Sequence, residues 1–318
     1  MKNDVNEVKI SSIDQIIGQN GVKNQVKVAL DAVRFSGGKF ENTMLLGPPG
    51  LGKSALVGAI TGDLNVNIVA DELKVGFHEV LGQSIKTAAD MNFLLLKGKD
   101  RDIIFFEEAH LLPKEFQTQL LLAIDKRSII VQAGKKLVTL PLADITYFFA
   151  TTDSHQLIRP LVDRCRLILN YDFYNFEELS KIVETRCKSL DWKFEPKILE
   201  EISMRSRGTP RIALRLLQAG RRVALSERNT LIRLRHVQKA FELAEIDTIG
   251  LDKLESKYLH LLKDGPLRIN VIASMLGVLD QRIVSNTIEP FLLRIGYIVK
   301  DDNGKRVLTQ QGQDHIRS

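Results

Sequence analysis

Residues 47–54 have the types and the spacing needed to hold the phosphates of a nucleotide. Their sequence, GPPGLGKS, fits the pattern G-x-x-x-x-G-K-[ST] in full and lies between an apolar run and a helical pattern. Glycines let backbone N–H groups turn inward around phosphate oxygens, and a following helix N-terminus favours an anion. We expect Lys53 to reach the β- and γ-phosphates and the Ser54 hydroxyl to bind Mg²⁺. The predicted ATP-binding residues of this segment are Gly47, Pro48, Pro49, Gly50, Leu51, Gly52, Lys53, Ser54 and Ala55.

An acidic pair at residues 107 and 108 supplies the second half of a hydrolytic site. It follows the apolar residues IIFF at 103–106, which predict a buried strand that ends beside the phosphates. Glu107 is expected to hold the Mg²⁺ ion, and Glu108 to polarise the attacking water as a general base. Taken alone, the pair would be interpreted as a solvated strand end. Its combination with the phosphate loop favours the catalytic interpretation.

Three further residues could act on the terminal phosphate. Thr152 ends the predicted strand at 144–152, where a hydroxyl can orient the attacking water, although β-propensity alone explains a threonine there. Arg164, in the segment PLVDRC, could come from a neighbouring subunit to stabilise the charge of the transferred phosphoryl group. A surface ion pair with Asp163 is the alternative. Arg211 follows a proline that suits the first turn of a helix, and we expect it to project back toward the phosphates.

The region 205–235 concentrates positive charge. It contains nine arginines and a single acidic residue, Glu227. Arg207, Arg211 and Arg215 recur at a spacing of four, which predicts that they share one face of a helix. This face is either a solvated surface or the basic lining of a pore or of an interface with a neighbouring subunit.

The elements expected to position these residues alternate between strands and helices. Helical patterns at 53–64 and 113–126 separate the strands, and this alternation predicts an α/β fold with a parallel sheet covered on both faces. Residues 128–140 predict an inserted hairpin around AGKK, with a plain surface loop as the alternative. The predicted buried strands are 43–46, 65–70, 102–108 and 144–152.

The second half of the chain changes to helical patterns with few strand signals. Four predicted helices form a small domain, and a linker at 246–252 follows them. Three more helical patterns precede a hairpin at 297–309, whose turn signal is Asn303-Gly304, and this order is typical of a winged helix. The predicted helices are 176–190, 196–206, 210–227, 235–246, 253–263, 268–277 and 280–294. The predicted domains are 1–172, 173–248 and 249–318.

The composition is that of a soluble protein of 318 residues, with 44% hydrophobic and 26% charged residues. The net charge of +6 is compatible with nucleic-acid binding and also with a solvated cationic surface. The only cysteines, Cys165 and Cys187, have no metal-binding spacing, which favours a reducing compartment. No run approaches the roughly 20 apolar residues of a membrane span. We therefore expect a cytoplasmic protein that does not interact with a membrane.

The order of the motifs resembles the RuvB family of Holliday-junction branch-migration ATPases, which belong to the AAA+ class. The resemblance extends over nearly the whole chain and includes the phosphate loop and the winged helix. Its other motifs are IGQ at 17–19, ATT at 150–152, DRC at 163–165, RGTPRIA at 207–213, EPFL at 289–292 and GYI at 296–298.

The resemblance implies an AAA+ ATPase domain, a helical lid domain and a C-terminal winged helix. It also implies a hexameric ring that binds ATP between subunits, with Arg164 acting in trans and Ile17 packing against adenine. DNA would pass through or against the ring, and a RuvA-like partner would load the ring on a four-way junction. On the wing, Lys300, Lys305 and Arg306 would contact DNA, unless they are ordinary solvated hairpin residues.

Several positions depart from the family pattern. Glu107 replaces an aspartate, Asp153 and Val162 replace arginines, and the hairpin at 128–140 is shorter than the one that docks the loader. An ATP-driven DNA translocase of recombination and repair is the leading hypothesis. One alternative is a clamp-loader-like AAA+ switch that acts on a protein partner with little DNA translocation. Another is a DNA-binding regulator without ATPase activity, which Lys53, Ser54 and Glu108 argue against.

Overall fold

The computed structural model describes Val5 and residues 9–66, 74–134 and 136–317. The chain forms two compact units. The first comprises Met1–Ile182 together with Thr209–Arg211, and the second comprises Val183–Gly208 and Ile212–Ser318.

The described strands of the first unit are β1 (Thr43–Leu46), β2 (Phe77–Leu81), β3 (Ile103–Glu107), β4 (Ser128–Ala133), β5 (Lys136–Pro141), β6 (Thr146–Thr151) and β7 (Leu167–Asn170). Five of them form a parallel sheet with the order β2-β3-β6-β1-β7. Its helices are α1 (Asn20–Ser36), α2 (Lys53–Leu64), α3 (Ala88–Lys97), α4 (Lys114–Lys126) and α5 (Arg159–Val162). The predicted parallel sheet of an α/β fold is therefore confirmed.

Both faces of the central strands are buried, which explains their continuous apolar sequences. On one face, Phe106 and Phe149 stack with ring centroids 5.4 Å apart and pack in a cluster that includes residues of α3 and α4. On the other face, Phe148 stacks on Phe40 with centroids 5.6 Å apart. Each fully buried phenylalanine stabilises the fold by about 1.5–3 kcal/mol. This core fixes the strand ends that carry the candidate site.

Two strands of the sheet were not predicted. The edge strand β2 contains His78 and Glu79 and alternates exposed with half-buried residues, so it lacks the apolar run of a central strand. The other, β7, has only four residues. Most of the predicted strand at 65–70 lies outside the described residues, and its first two residues form a turn. The hairpin predicted at 128–140 is confirmed, because β4 and β5 pair in antiparallel register.

The second unit is mostly helical, as predicted. The helix α6 (Phe176–Ser189) begins in the first unit and ends in the second. The helices that follow are α7 (Lys197–Arg205), α8 (Pro210–Ser226), α9 (Leu234–Leu243), α10 (Lys253–Leu261), α11 (Ile269–Leu276), α12 (Gln281–Ile283), α13 (Glu289–Arg294) and α14 (Gln310–Arg317). The short strands β8 (Lys193–Phe194) and β9 (Leu231–Ile232) pair in parallel.

The C-terminal part of this unit is a winged helix around one apolar cluster. Its hairpin consists of β10 (Ile298–Lys300) and β11 (Arg306–Leu308). Apolar side chains of α10, α11 and a third helical segment form the core of this winged helix. The third helical segment contains a π-helical turn at Val284–Ile288, between α12 and α13. This turn and α14 were not predicted. Among the described residues, no helix combines the length and the apolar character needed to cross a membrane.

Candidate nucleotide site

The phosphate loop connects β1 to α2 and has the backbone of an anion-binding turn. Gly47, Gly50 and Gly52 have φ angles of 148°, 80° and 92°. A Cβ atom on Gly50 would lie 2.9 Å from the Cβ atom of Arg211, so the loop has no space for a side chain there. Only glycine combines these φ angles with such close packing. The loop therefore exposes its backbone where phosphates would bind.

Lys53 is the first residue of α2 and is held over the loop. Its side chain is largely buried, with 8% of the residue exposed. The Nζ atom donates hydrogen bonds to the carbonyl oxygens of Gly47 at 2.7 Å and Pro48 at 2.9 Å. Burial lowers the pKa of the Lys53 ammonium, while the nearby carboxylate of Glu108 opposes that change. An anion in the loop would offset the cost of burying this charge.

Ser54 and Glu107, which were predicted to bind Mg²⁺, are in direct contact. The Ser54 hydroxyl donates a hydrogen bond to Oε1 of Glu107 at 2.9 Å. Glu107 ends β3, so the parallel register of the sheet brings its carboxylate beside the start of α2. Burial and the neighbouring Glu107 raise the pKa of the Glu79 carboxyl on β2. A hydroxyl and carboxylates are hard oxygen ligands that suit Mg²⁺, and together with buried Lys53 they fit a magnesium–nucleotide complex.

Glu108 and the end of β6 lie on either side of a histidine that sequence reasoning missed. Nδ1 of His110 lies 3.0 Å from Oγ1 of Thr151 and 3.5 Å from Oε2 of Glu108. Thr151 is buried, whereas Thr152 is exposed just beyond the strand. The sequence shows a histidine two residues after the acidic pair, but only the contacts with Thr151 and Glu108 indicate that His110 belongs to the site.

Arg211 lies against the phosphate loop through its backbone and the aliphatic part of its side chain. Its backbone N–H donates to the Gly50 carbonyl at 3.3 Å, and Thr209–Arg211 form part of the first unit. Another contact to the loop comes from Tyr174, whose hydroxyl donates to the Leu51 carbonyl at 3.1 Å. Burial raises the pKa of Tyr174 to about 12, so this phenol remains a donor at neutral pH.

The predicted adenine-contact residue, Ile17, is half-buried and precedes α1. Two residues later, the side-chain amide of Gln19 binds the backbone of Asp172, with distances of 2.7 and 3.3 Å. A polar pocket of about 280 Å³ opens beside this contact. It is lined by Gln19, Asn20, Gly21, Val22, Asn170, Asp172, Phe173, Asn175 and Glu178.

Among the described residues, the Arg164 side chain makes no contact with the phosphate loop of the same chain. Its guanidinium forms a bidentate pair with Asp125 of α4, with Nε 2.7 Å from Oδ1, and it also donates to the Pro160 carbonyl at 2.8 Å. The alternative pairing with Asp163 is wrong, because Asp163 pairs with Arg159 at 2.9 Å. These contacts hold the Arg164 side chain against α4 and α5.

Most of the arginine-rich region is occupied by internal contacts. The predicted shared face of Arg207, Arg211 and Arg215 is wrong, because Arg207 precedes α8 and has a φ angle of 51°. Arg207 pairs with the buried Glu255, and Arg221 lies over the Trp192 ring at 5.3 Å. The other paired arginines are Arg205 with Glu201, Arg233 with Glu195 and Arg235 with Glu227. These contacts reduce the charge available for a basic pore lining.

The wing also differs from its predicted role. Arg306 is 8% exposed, and its guanidinium contacts both carboxylate oxygens of the fully buried Glu289, at 2.7 and 3.0 Å. This pairing corrects the expected DNA contact of Arg306, because the charge is neutralised inside the winged helix. Lys300 is half-exposed, and its Nζ atom lies 3.9 Å from Oε2 of Glu289. Lys305 is half-buried, and its backbone N–H donates to Oδ1 of Asp301 at 2.7 Å.

The fold and the site define a P-loop ATPase of the AAA+ class. Comparison with family models gives a more specific assignment, because three RuvB models match consecutive ranges of the chain. The Holliday junction DNA helicase RuvB P-loop domain matches residues 8–171, the RuvB AAA lid domain 174–247 and the RuvB C-terminal winged helix domain 248–317. The chain belongs to the RuvB family.

Curated relatives and solved structures agree with this assignment. The chain is 33% identical to the Holliday junction branch migration complex subunit RuvB of Thermotoga petrophila, over 96% of this chain and 91% of that protein. It is also 33% identical to the RuvB subunit of Ehrlichia chaffeensis, over 96% and 92%. The structure of the Thermotoga maritima RuvB Holliday junction branch migration motor matches with a TM-score of 0.81 and 31% identity, covering 97% of this chain and 98% of that one.

Proposed function

We propose that this chain is an ATP-hydrolysing ring motor that translocates DNA and drives branch migration of Holliday junctions in recombination and repair. The observation that carries the proposal is the contact of Ser54 with Glu107 beside buried Lys53, in a chain of the RuvB family. We place the protein in the cytoplasm, with domains at 1–172, 173–248 and 249–318.

The residues of the site have separate tasks in this proposal. Bound Mg²⁺·ATP supplies the phosphoryl group and the divalent charge that offsets the phosphate oxygens. The loop amides and Lys53 bind the phosphates, while Ser54 and Glu107 hold the cation. Glu108 accepts the proton of the attacking water, which Thr152 orients. Ile17 packs against the adenine, and Arg211 approaches the phosphates from beside Gly50.

The proposed oligomer is a hexameric ring in which Arg164 acts on the nucleotide of the neighbouring subunit. Arg164→Ala is expected to lower ATP hydrolysis by about 10³-fold, since the charge on the transferred phosphoryl group loses its partner. Mixing Arg164→Ala with Lys53→Ala subunits should restore part of the activity, because some interfaces then contain both intact residues. Arg159→Ala, a neighbouring exposed arginine, is the control. Loss of activity without recovery in mixtures would contradict action in trans.

We propose two further surfaces for the motor. The hairpin of β4 and β5 carries the exposed apolar residues Ile130, Leu137 and Val138, which suit a RuvA-like loader protein. Lys300 and Lys305 are the remaining proposed DNA contacts on the wing, and both would act on the phosphate backbone. These contacts should be weak, because Asp301 and Asp302 lie in the same turn.

The test of the function is ATP hydrolysis measured without DNA, with linear duplex and with a four-way junction, across a salt series. We expect DNA to stimulate hydrolysis, the junction most strongly, and stimulation to fall with salt as phosphate contacts are screened. Junction movement must also require ATP. An ATP hydrolysis rate that is unchanged by each of the DNA substrates would contradict the proposal of a DNA motor. Slow turnover with ATP-dependent binding to a protein would instead favour the clamp-loader-like switch.

A further inference from the structure

We propose that His110 is a positioning residue that holds the carboxylate of Glu108 and connects it to the phosphate loop through Thr151. The inference deepens the proposed function, because it concerns the same hydrolytic site and rests on ATP hydrolysis there. Neither the phosphate-loop motif nor the acidic pair assigns a task to His110.

The backbone after β3 places Glu108 and His110 close together. Glu108 has a φ angle of 49°, in the left-handed region, and a single 3₁₀ turn at Ala109–Leu111 follows it. The Leu111 N–H donates to the Glu108 carbonyl at 2.9 Å and closes this turn. A left-handed conformation at a residue other than glycine is uncommon and is retained where the surrounding structure requires it. The turn therefore holds the His110 ring beside the carboxylate.

The partners of His110 indicate which proton its ring carries. Only 12% of the side chain is exposed, so Nδ1 faces protein atoms. With Nδ1 unprotonated, its lone pair would face the Glu108 carboxylate at 3.5 Å, which is a repulsive arrangement. With Nδ1 protonated, its N–H donates to Oγ1 of Thr151 at 3.0 Å, and the same nitrogen lies 3.5 Å from Oε2 of Glu108, where an N–H dipole is attractive. We infer that Nδ1 is the donor and that it attracts the carboxylate.

Thr151 connects this histidine to the phosphate loop. Its carbonyl accepts a hydrogen bond from the Gly47 N–H at 3.3 Å, where the loop leaves β1. Its hydroxyl oxygen also accepts the Asp153 N–H at 3.0 Å, which orients the chain on the far side of Thr152. Thr151 is fully buried and paired in register with Leu46 of β1. A displacement at the end of β6 would thus reach Glu108 through a single imidazole.

Loss of the His110 contact is expected to lower the rate of ATP hydrolysis and to leave the affinity for nucleotide nearly unchanged. His110 contacts the base that acts in the transition state, whereas Lys53 and the loop amides hold the phosphates. Interactions that act mainly in the transition state change kcat with little effect on nucleotide binding. Small displacements of a reacting group lower rates by as much as about 10²-fold.

The test compares His110→Ala with His110→Asn in the full chain by steady-state ATP hydrolysis at saturating magnesium–nucleotide. Alanine is expected to lower kcat by about 10- to 100-fold and to leave the Kd of the magnesium–nucleotide complex within about twofold. Asparagine places an amide N–H the same number of bonds from the backbone as Nδ1, so it should restore most of kcat. His260→Ala, which changes an exposed histidine bonded only within its own helix, is the matched control.

Thr151→Val provides an independent measurement of the same connection. It removes the hydroxyl while keeping the shape of the side chain, and its effect on kcat should not add to that of His110→Ala. If the unsubstituted protein hydrolyses ATP and His110→Ala keeps full kcat, the positioning role is overturned while the ATPase remains. Equal losses in the alanine and asparagine variants, or a parallel loss of nucleotide affinity, would also overturn it. If the unsubstituted protein does not hydrolyse ATP with any DNA, the proposed function itself fails.

Discussion

Glu108→Gln is expected to lower ATP hydrolysis by about 10²- to 10⁴-fold while nucleotide binding remains. Glutamine has nearly the same shape as glutamate but cannot accept the proton of the attacking water, so the general base is lost. Lys53, Ser54 and Glu107 keep their contacts in this variant, since none of those hydrogen bonds uses Glu108. Single-turnover hydrolysis and the equilibrium affinity for magnesium–nucleotide, measured on the same preparation, separate the two effects.

The matched control for this prediction is Glu115→Gln, the same change at an exposed glutamate in the first turn of α4. It should leave both rate and affinity unchanged. A rate for Glu108→Gln within about threefold of the unsubstituted protein would assign the base to another residue, because a general base contributes far more than that. A loss of nucleotide affinity equal to the loss of rate would indicate a structural role for Glu108.

Arg306→Leu is expected to lower the free energy of unfolding of the winged helix by about 3–5 kcal/mol. The substitution leaves the carboxylate of Glu289 fully buried without its bidentate partner. The Tyr258 hydroxyl still donates to it at 2.9 Å, and Nζ of the half-exposed Lys300 lies 3.9 Å from it. Removing one member of a buried ion pair costs more than removing both. Hydrogen exchange of residues 249–317 in the full chain measures this local unfolding directly.

Two further variants test whether the buried pair is the cause. Lys305→Leu removes a neighbouring charge that the wing turn does not bury as deeply, and its effect on stability should stay within about 0.5 kcal/mol. Combining Glu289→Leu with Arg306→Leu should recover at least half of the lost stability, since no unpaired carboxylate remains. Unchanged exchange in Arg306→Leu together with weaker DNA binding would instead support the surface role expected from sequence.

The chemistry of the phosphate loop could be predicted from sequence because it depends on local backbone. Glycine spacing, Lys53 and the helix start lie within eight consecutive residues, and their conformation follows from their own φ angles and hydrogen bonds. The buried strands β3 and β6 could also be predicted from the sequence, since a continuous apolar run between helices indicates a parallel strand. The family resemblance likewise came from the order of short motifs along the chain.

Long-range contacts decided the rest. The edge strand β2 has no apolar run, so only its pairing with β3 defines it. Arg306 looked like a surface charge until packing placed it against Glu289, 17 residues earlier in the chain. The spacing of Arg207 and Arg211 is that of neighbours on a helix. In the structure, however, Arg207 lies before α8, because its backbone is left-handed and its guanidinium pairs with Glu255, 48 residues away.

The sequence alone thus determined which residues could bind a nucleotide, because that information is carried by neighbouring residues. Only the tertiary structure decided which charges remain available and which side chains meet at the site. His110 and Thr151 are 41 residues apart, and β3 and β6 become neighbours through the sheet. Burial and hydrogen-bond pairing depend on residues distant in sequence, so a charge or an imidazole acquires its role only when the chain has packed.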